Sequence, residues 1–199
     1  MIDSIFIENG KIRGRLLESD EEIQGIKCKA DTWAWFHMSG LLSSCEPAQD
    51  TSIGNISCMS GMRIIFHESG RLMKCYLSKS SLINSIPARA DTFLLFHENG
   101  ILSACRLDFD HEIQGIRCKA GRWIGFYENS SLKRCTVSED TIKDGILLKA
   151  GSWVCFHYNG VLENYRLTED ATIQGIEYKS GDLLIFDEEG RIREKVTIP

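Results

Sequence analysis

Phenylalanine recurs every 30 residues along the whole chain, at Phe6, Phe36, Phe66, Phe96, Phe126, Phe156 and Phe186. No insertion breaks the period. A repeat of that length makes the chain an array of units, each able to bury its apolar face only against its neighbours. Other columns keep step. Gly10, Gly40, Gly70, Gly100, Ser130, Gly160 and Gly190 follow four residues after each Phe, with Ile12, Leu42, Leu72, Leu102, Leu132, Leu162 and Ile192 two further on. Ile26, Ile56, Ile86, Ile116, Ile146 and Ile176 form another column, and Ala30, Ser60, Ala90, Ala120, Ala150 and Ser180 a column of small residues. The sequence thus reads as a single repeat domain over residues 1–199.

Between the columns lie short runs rich in β-branched and aromatic residues, such as "EIQGIRC", "RWIGF" and "ILSACRL". They suit strands and are too short for helices, and no helical patterning is present. Three turn signals separate them. One is the "ENG" type at Glu98-Asn99-Gly100, where Asn-Gly favours positive φ at both central positions. The second surrounds an acidic column, Asp20, Asp50, Asp110, Asp140 and Asp170, and the third is the "KAG" or "KSG" type at Lys119–Gly121 and Lys179–Gly181. Each run read as one strand gives three strands per unit. In an up-and-down sheet an odd number would reverse successive repeats, so the expectation is an all-β solenoid of about 6.5 coils. Each coil would stack ~4.8 Å from the last. The alternative is an open antiparallel array of β-hairpins.

The segments "GRWIGFYENSSL" and "GSWVCFHYNGVL" resemble MORN-type repeats, with their G-x-W-x-x-[FY]-x-x-N-G-x-L pattern. MORN repeats are shorter and form an elongated antiparallel hairpin sheet. The resemblance covers part of each unit and implies a scaffold that binds a protein or a membrane surface. The "I-x-G-I-x-C-K-A-G" style is similar to that of uncharacterised bacterial repeats, which implies no activity.

The composition excludes several classes. A net charge of -5 and a pI near 5.6, with no Lys/Arg cluster, argue against nucleic acid, because phosphate neutralisation supplies most of that affinity. No apolar run is long enough for a membrane helix, and the first residues lack the pattern of a signal peptide. Seven of the eight cysteines fall in two columns, Cys28, Cys58, Cys118 and Cys45, Cys75, Cys105, Cys135. Ala88, Leu148, Tyr165 and Tyr178 stand in those columns elsewhere. Such replacements mark packing positions rather than a disulfide or metal framework, and free thiols point to a reducing, cytoplasmic setting. The charged last segment, "RIREKVTIP", reads as a cap against end-to-end association and favours a monomer.

Four columns carry polar or aromatic chemistry. His37, His67, His97 and His157 could share a metal or sense pH, but Tyr127 and Asp187 break the series. The acidic column reads as carboxylates that accept backbone N–H groups in turns. Lys29, Arg89, Lys119, Lys149 and Lys179 form a basic column, interrupted by Met59. Like charges in register repel, so this stripe is a candidate for docking an anionic partner. Trp33, Trp123 and Trp153 share a column with Arg63, Phe93 and Leu183, an aromatic ladder suited to a protein or glycan. No nucleophile elbow, phosphate loop or zinc-protease motif occurs. The expectation is a non-enzymatic scaffold without cofactor or metal, holding a protein partner through the lysine stripe and the tryptophan column. A glycan-binding or glycan-cleaving solenoid and a self-assembling structural element are the alternatives. A membrane surface is a further partner for which the residues give no argument.

Overall fold

The computed structural model describes residues 5–197. The chain divides into two compact units, 1–105 and 106–199. Both are all-β, and the 26 described strands are three to six residues long.

Each repeat contains four strands. Two form a small hairpin and two join a larger antiparallel sheet. In one repeat of the second unit, His111–Ile113 pairs with Ile116–Cys118, and Trp123–Phe126 then pairs with Leu132–Thr136. The strand Leu132–Thr136 pairs next with Trp153–Phe156 of the following repeat, which pairs with Leu162–Arg166. Asp182–Phe186 and Ile192–Thr197 continue the series. The first unit is built the same way from Ile5–Glu8, Lys11–Leu16, Trp33–Phe36, Leu42–Cys45, Ile64–Phe66, Leu72–Tyr76 and Phe93–Phe96. In neither unit does the strand order close on itself.

Four strands per repeat, not three, is the main departure from the sequence expectation. "EIQGIRC" is a complete hairpin that turns at Gln114-Gly115, with φ of 51° and 79°. An even count lets an antiparallel sheet advance without reversing its repeats, so the columns need no closed coil to stay equivalent. Open hairpin pairing, the alternative above, is the arrangement observed in each unit. Equivalent residues of successive repeats therefore lie two strand spacings apart, about 9.6 Å rather than 4.8 Å.

The Asn-Gly turn also differs from expectation. Gly100 has φ of 88° while Asn99 is absent from the positive-φ residues, and the turn closes through Gly100 N–H donating to the His97 carbonyl. This is a tight turn followed by a glycine bulge, and it coincides with a register shift in the ladder at Leu95/Phe96. The Asn side chain instead accepts the N–H two residues on, as Asn99 does from Ile101 and Asn159 from Val161.

The core lies between one face of the sheet and the small hairpins. Ala34, Leu42 and Cys45 of the sheet are buried, as are Ile23, Ile26 and Cys28 of the hairpin beside them. A small hairpin covers Leu42 of its own repeat and Phe66 of the next, since Gln24, Ile26, Leu42, Phe66 and Gly70 enclose one cavity of about 80 Å³. Exposure along the columns follows from that offset. Phe6, with no preceding hairpin among the described residues, is 49% exposed, whereas Phe66 is 7% exposed, and Ile176, with no following repeat among the described residues, is 57% exposed against 2% for Ile116.

Candidate functional site: the outer face of the sheet

Most of the polar columns hold repeats together. The Nε2 atoms of His37, His67 and His157 lie 3.1, 3.0 and 2.9 Å from the carbonyl oxygens of Phe66, Phe96 and Phe186. A carbonyl only accepts, so Nε2 carries the proton and donates. Tyr127 interrupts the histidine series without breaking the contact, because its hydroxyl donates to the Phe156 carbonyl at 2.9 Å. Asp187, in the last repeat, accepts the N–H groups of Glu189 and Arg191 within its own turn. Among the described residues no cluster of three or more potential metal ligands occurs.

Gln114 at the small-hairpin turn donates through Nε2 to the Ser130 carbonyl and accepts the Leu132 N–H at 3.0 Å each. Gln24 does the same to Gly40 and Leu42, and Asp144 accepts from Leu162. Four of the small hairpins, at Gln24, Gln114, Asp144 and Gln174, are thus clipped to the sheet turn of their own repeat, while Gly54 has no side chain to do so. The sequence reading missed this role because it took the segment for a single strand.

The acidic column staples turns, as expected from its residue type. Asp20, Asp50, Asp110, Asp140 and Asp170 accept the N–H of the residue ten further on, and Ser80 does so through its hydroxyl. The Ala150 N–H and then Lys149 hold the Asp140 carboxyl below the usual aspartate range. Lys179 and then the Ser180 N–H do the same for Asp170.

The two cysteine columns meet in the core. The Cys28, Cys58 and Cys118 thiols donate to the Ile26, Ile56 and Ile116 carbonyls at 3.5, 3.9 and 3.6 Å. All eight cysteines are free thiols and seven are buried. The neighbouring Cys28, Cys58 and Cys118 thiols, together with burial, push Cys45, Cys75 and Cys135 above the ordinary thiol range. In the repeat of Cys105 the other cysteine column carries Ala88, and burial alone pushes the Cys105 thiol up to about 12. These groups stay protonated and pack as small apolar residues.

The proposed lysine stripe sits in the turns that lead from each small hairpin into the next sheet strand. Lys29, Arg89, Lys119 and Lys179 are exposed and Lys149 is half-buried. Lys149 Nζ lies 2.9 Å from Asp140 and 3.4 Å from Glu169, and Lys179 Nζ lies 2.8 Å from Asp170. The acidic and basic columns partly neutralise each other. Their wide spacing also weakens the like-charge repulsion that an in-register stack would carry.

The tryptophan column occupies the sheet face away from the small hairpins. In the first unit Trp33 and Trp35 stack with ring centroids 5.2 Å apart, and Phe6 lies 6.0 Å from Trp35. Gly14 permits this, because a Cβ there would lie 2.7 Å from the Trp35 ring. The cations here have partners. Arg13 pairs with Glu8 at 3.2 Å and Arg63 lies 3.4 Å from Glu46, whereas Arg15, in register with the buried Ala34, lies on the opposite face and forks onto Glu21. Lys74 Nζ sits 4.9 Å above the Phe93 ring.

In the second unit the same face carries three exposed arginines, Arg106, Arg134 and Arg166. The Arg106 guanidinium carbon lies 5.5 Å from the Trp123 ring, and that of Arg134 lies 5.9 Å from Trp153. Gly125, opposite Arg134, lets the arginine stem lie along the strand: a Cβ would meet its Cγ at 3.1 Å. Arg166 is paired in register with Leu183. Among the described residues no carboxylate lies within 4.0 Å of any of the three. Trp153 is 44% exposed and borders a groove of about 250 Å³ with Ser152, Asn164, Arg166, Thr168 and Leu183. Cys155 lies on this face too, its thiol raised by burial and by Glu163. The structure therefore places Trp123 and Trp153 beside arginines that the sequence reading did not single out. No protein-family model matches the chain, and a search of curated proteins finds no relative.

Proposed function

We propose that this chain is a non-catalytic binding protein that holds a protein partner on the outer face of its sheet. The observation that carries this reading is the uncovered face of the second unit, where guanidinium groups without carboxylate partners lie over tryptophan rings. Arginine and tryptophan are the side chains most enriched among residues that dominate interface energies. Guanidinium groups stacked on rings lose less freedom on binding than free side chains do. The lysine stripe is a second contact line at the entry to the sheet strands of each unit, with Lys29 and Arg89 in the first and Lys119, Lys149 and Lys179 in the second. The supporting experiment is capture of a partner from native-host lysate by immobilised protein. Trp123→Ala/Trp153→Ala is expected to lose the partner and Lys119→Glu/Lys149→Glu to weaken it. Undiminished capture by the tryptophan variant would remove the outer face as the docking surface.

A second reading rests on the groove beside Trp153, whose exposed indole is flanked by Asn164, Thr168 and Arg166 in the manner of a sugar-binding platform. Under that reading a soluble polysaccharide quenches tryptophan fluorescence saturably. A panel of acidic and neutral polysaccharides without effect would eliminate it.

A further inference from the structure

One cross-strand pair recurs where successive repeats meet on the outer face, and its two side chains differ from repeat to repeat. Leu16 stands opposite Trp33, Tyr76 opposite Phe93 and Thr136 opposite Trp153. Glu46 meets Arg63 at 3.4 Å, and the Arg106 guanidinium lies 5.5 Å from the Trp123 ring. Each of these pairs joins side chains that suit each other. Arg166 is different. It stands opposite Leu183, which offers a guanidinium neither charge nor ring.

Arg166, Leu183 and Trp153 line the groove of about 250 Å³, with Ser152, Asn164 and Thr168. Ser152 is buried and its hydroxyl has no partner. A second guanidinium reaches the same indole from another column. Arg134 lies two residues along the strand from Thr136, and its guanidinium carbon is 5.9 Å from the Trp153 ring. Among the described residues neither Arg134 nor Arg166 has a carboxylate within 4.0 Å. Trp153 is thus an exposed apolar platform attended by two unanswered cations.

The groove is smaller than the ~300–1,000 Å³ of sites that enclose a small molecule, and suits one side chain of a larger partner. Trp153 and Leu183 select an apolar side chain. The guanidinium groups select carboxylates beside it, which they grip in a fork that a lysine cannot form. The chain's net charge of -5 repels a dense polyanion such as nucleic acid or acidic polysaccharide. A protein segment with a few carboxylates around one apolar residue answers the local charge and meets less of that repulsion.

We infer that this groove receives an apolar anchor side chain from an acidic protein segment, whose flanking carboxylates seat on Arg134 and Arg166. This rests on the reading of the chain as a protein-binding scaffold and adds the chemistry of the partner and the place of its anchor.

The test uses the full chain and three fluorescein-labelled peptides, read by fluorescence anisotropy at low and moderate salt. The first is Gly-Glu-Glu-Phe-Glu-Glu-Gly. The second replaces its glutamates by glutamine, and the third replaces its phenylalanine by serine. The first is expected to bind about tenfold or more tightly than either control, and to weaken as salt rises. Arg134→Glu/Arg166→Glu and Trp153→Ala are each expected to weaken it about tenfold or more, while Arg63→Glu/Lys74→Glu in the first unit leaves it unchanged. Circular dichroism verifies that the variants keep their fold. Equal affinity for the three peptides, or equal loss in Arg63→Glu/Lys74→Glu, overturns the inference. So does binding of acidic polysaccharide with all three peptides silent. If no peptide binds while lysate capture still depends on Trp123 and Trp153, this inference falls and the scaffold reading stands. If the first peptide binds as expected and capture ignores those tryptophans, the scaffold reading falls instead.

Discussion

The outer faces of the two units share a backbone plan and differ in how their charges are closed. In the first unit Arg13 and Arg63 meet Glu8 and Glu46, Trp33 lies against Trp35, and Lys74 lies over the Phe93 ring. In the second unit Arg106, Arg134 and Arg166 meet rings and a leucine, and Trp153 is open to solvent. Among the described residues, the same hairpin array therefore supplies a first face with one cation that has no carboxylate partner, the ring-stacked Lys74, and a second face with three, Arg106, Arg134 and Arg166. The architecture is common to both, so the difference resides in a handful of outward side chains. A partner has more to gain where the guanidinium groups lack a partner of their own.

The largest expected effect comes from removing the platform beneath the second face. Phe156 is 2% exposed, and Phe156→Ala is expected to lower stability by about 3–5 kcal/mol, read by urea denaturation. Phe6→Ala in the same column, half-exposed in the first unit, is expected to cost less than ~1 kcal/mol. Equal losses would contradict the account of how the small hairpins cover the sheet. Next comes the clip. Gln114→Gly keeps the positive φ and removes two hydrogen bonds, and is expected to cost about 1–3 kcal/mol. The matching Gln24→Gly in the first unit should behave alike, since that contact is shared.

A smaller change tests the difference itself. Glu46→Ala frees Arg63, and should raise the first unit's affinity for an acidic peptide a few-fold, the scale of a surface ion pair. No gain would mean that unpaired charge is not what separates the two faces. The smallest effect is one of pH. The carboxyls of Asp50, Asp140 and Asp170 titrate below their ordinary range in the folded chain, chiefly because Ser60 and Ala150 N–H groups bond to the first two and Lys179 to the third. A depressed folded pKa stabilises the fold above the unfolded value, near 3.9. That stability is lost as pH falls through the folded pKa. Midpoint denaturation should therefore drop on acidification below about pH 4, and Asp50→Asn/Asp140→Asn/Asp170→Asn should flatten the drop.

The period, the all-β class and the identity of the core columns were legible because inward positions repeat almost unchanged. Phenylalanine, isoleucine and cysteine recur where each repeat meets the same surroundings. The strand count was not legible, because Gln at position 114 carries no turn signature of its own. Gln enters the left-handed region here because its amide is tied to the next turn. The histidine column read as a broken candidate for metal or pH sensing for a related reason. Its partner is a backbone carbonyl one repeat away, which leaves no mark in a side-chain column. The tryptophans were legible as a ladder, but the arginines beside them were not. Arg134 shares its column with Ser44, Lys74, Ala104, Asn164 and Glu194, and Arg106 and Arg166 share theirs with Glu46, Tyr76, Thr136 and Val196. Columns that vary from repeat to repeat belong to the outward face, and variation there was the available signal. The uniform basic column drew attention instead, and part of it is tied to the acidic column by geometry.

The most direct test compares two charge reversals of equal size. Arg134→Glu/Arg166→Glu and Arg63→Glu/Lys74→Glu change the net charge identically, one on each outer face. Both are compared with the unaltered chain for capture of the native-host partner, quantified on immobilised protein at matched salt. The account predicts that the second-unit pair abolishes capture and the first-unit pair preserves it. Equal capture by both variants, or equal loss, would contradict it.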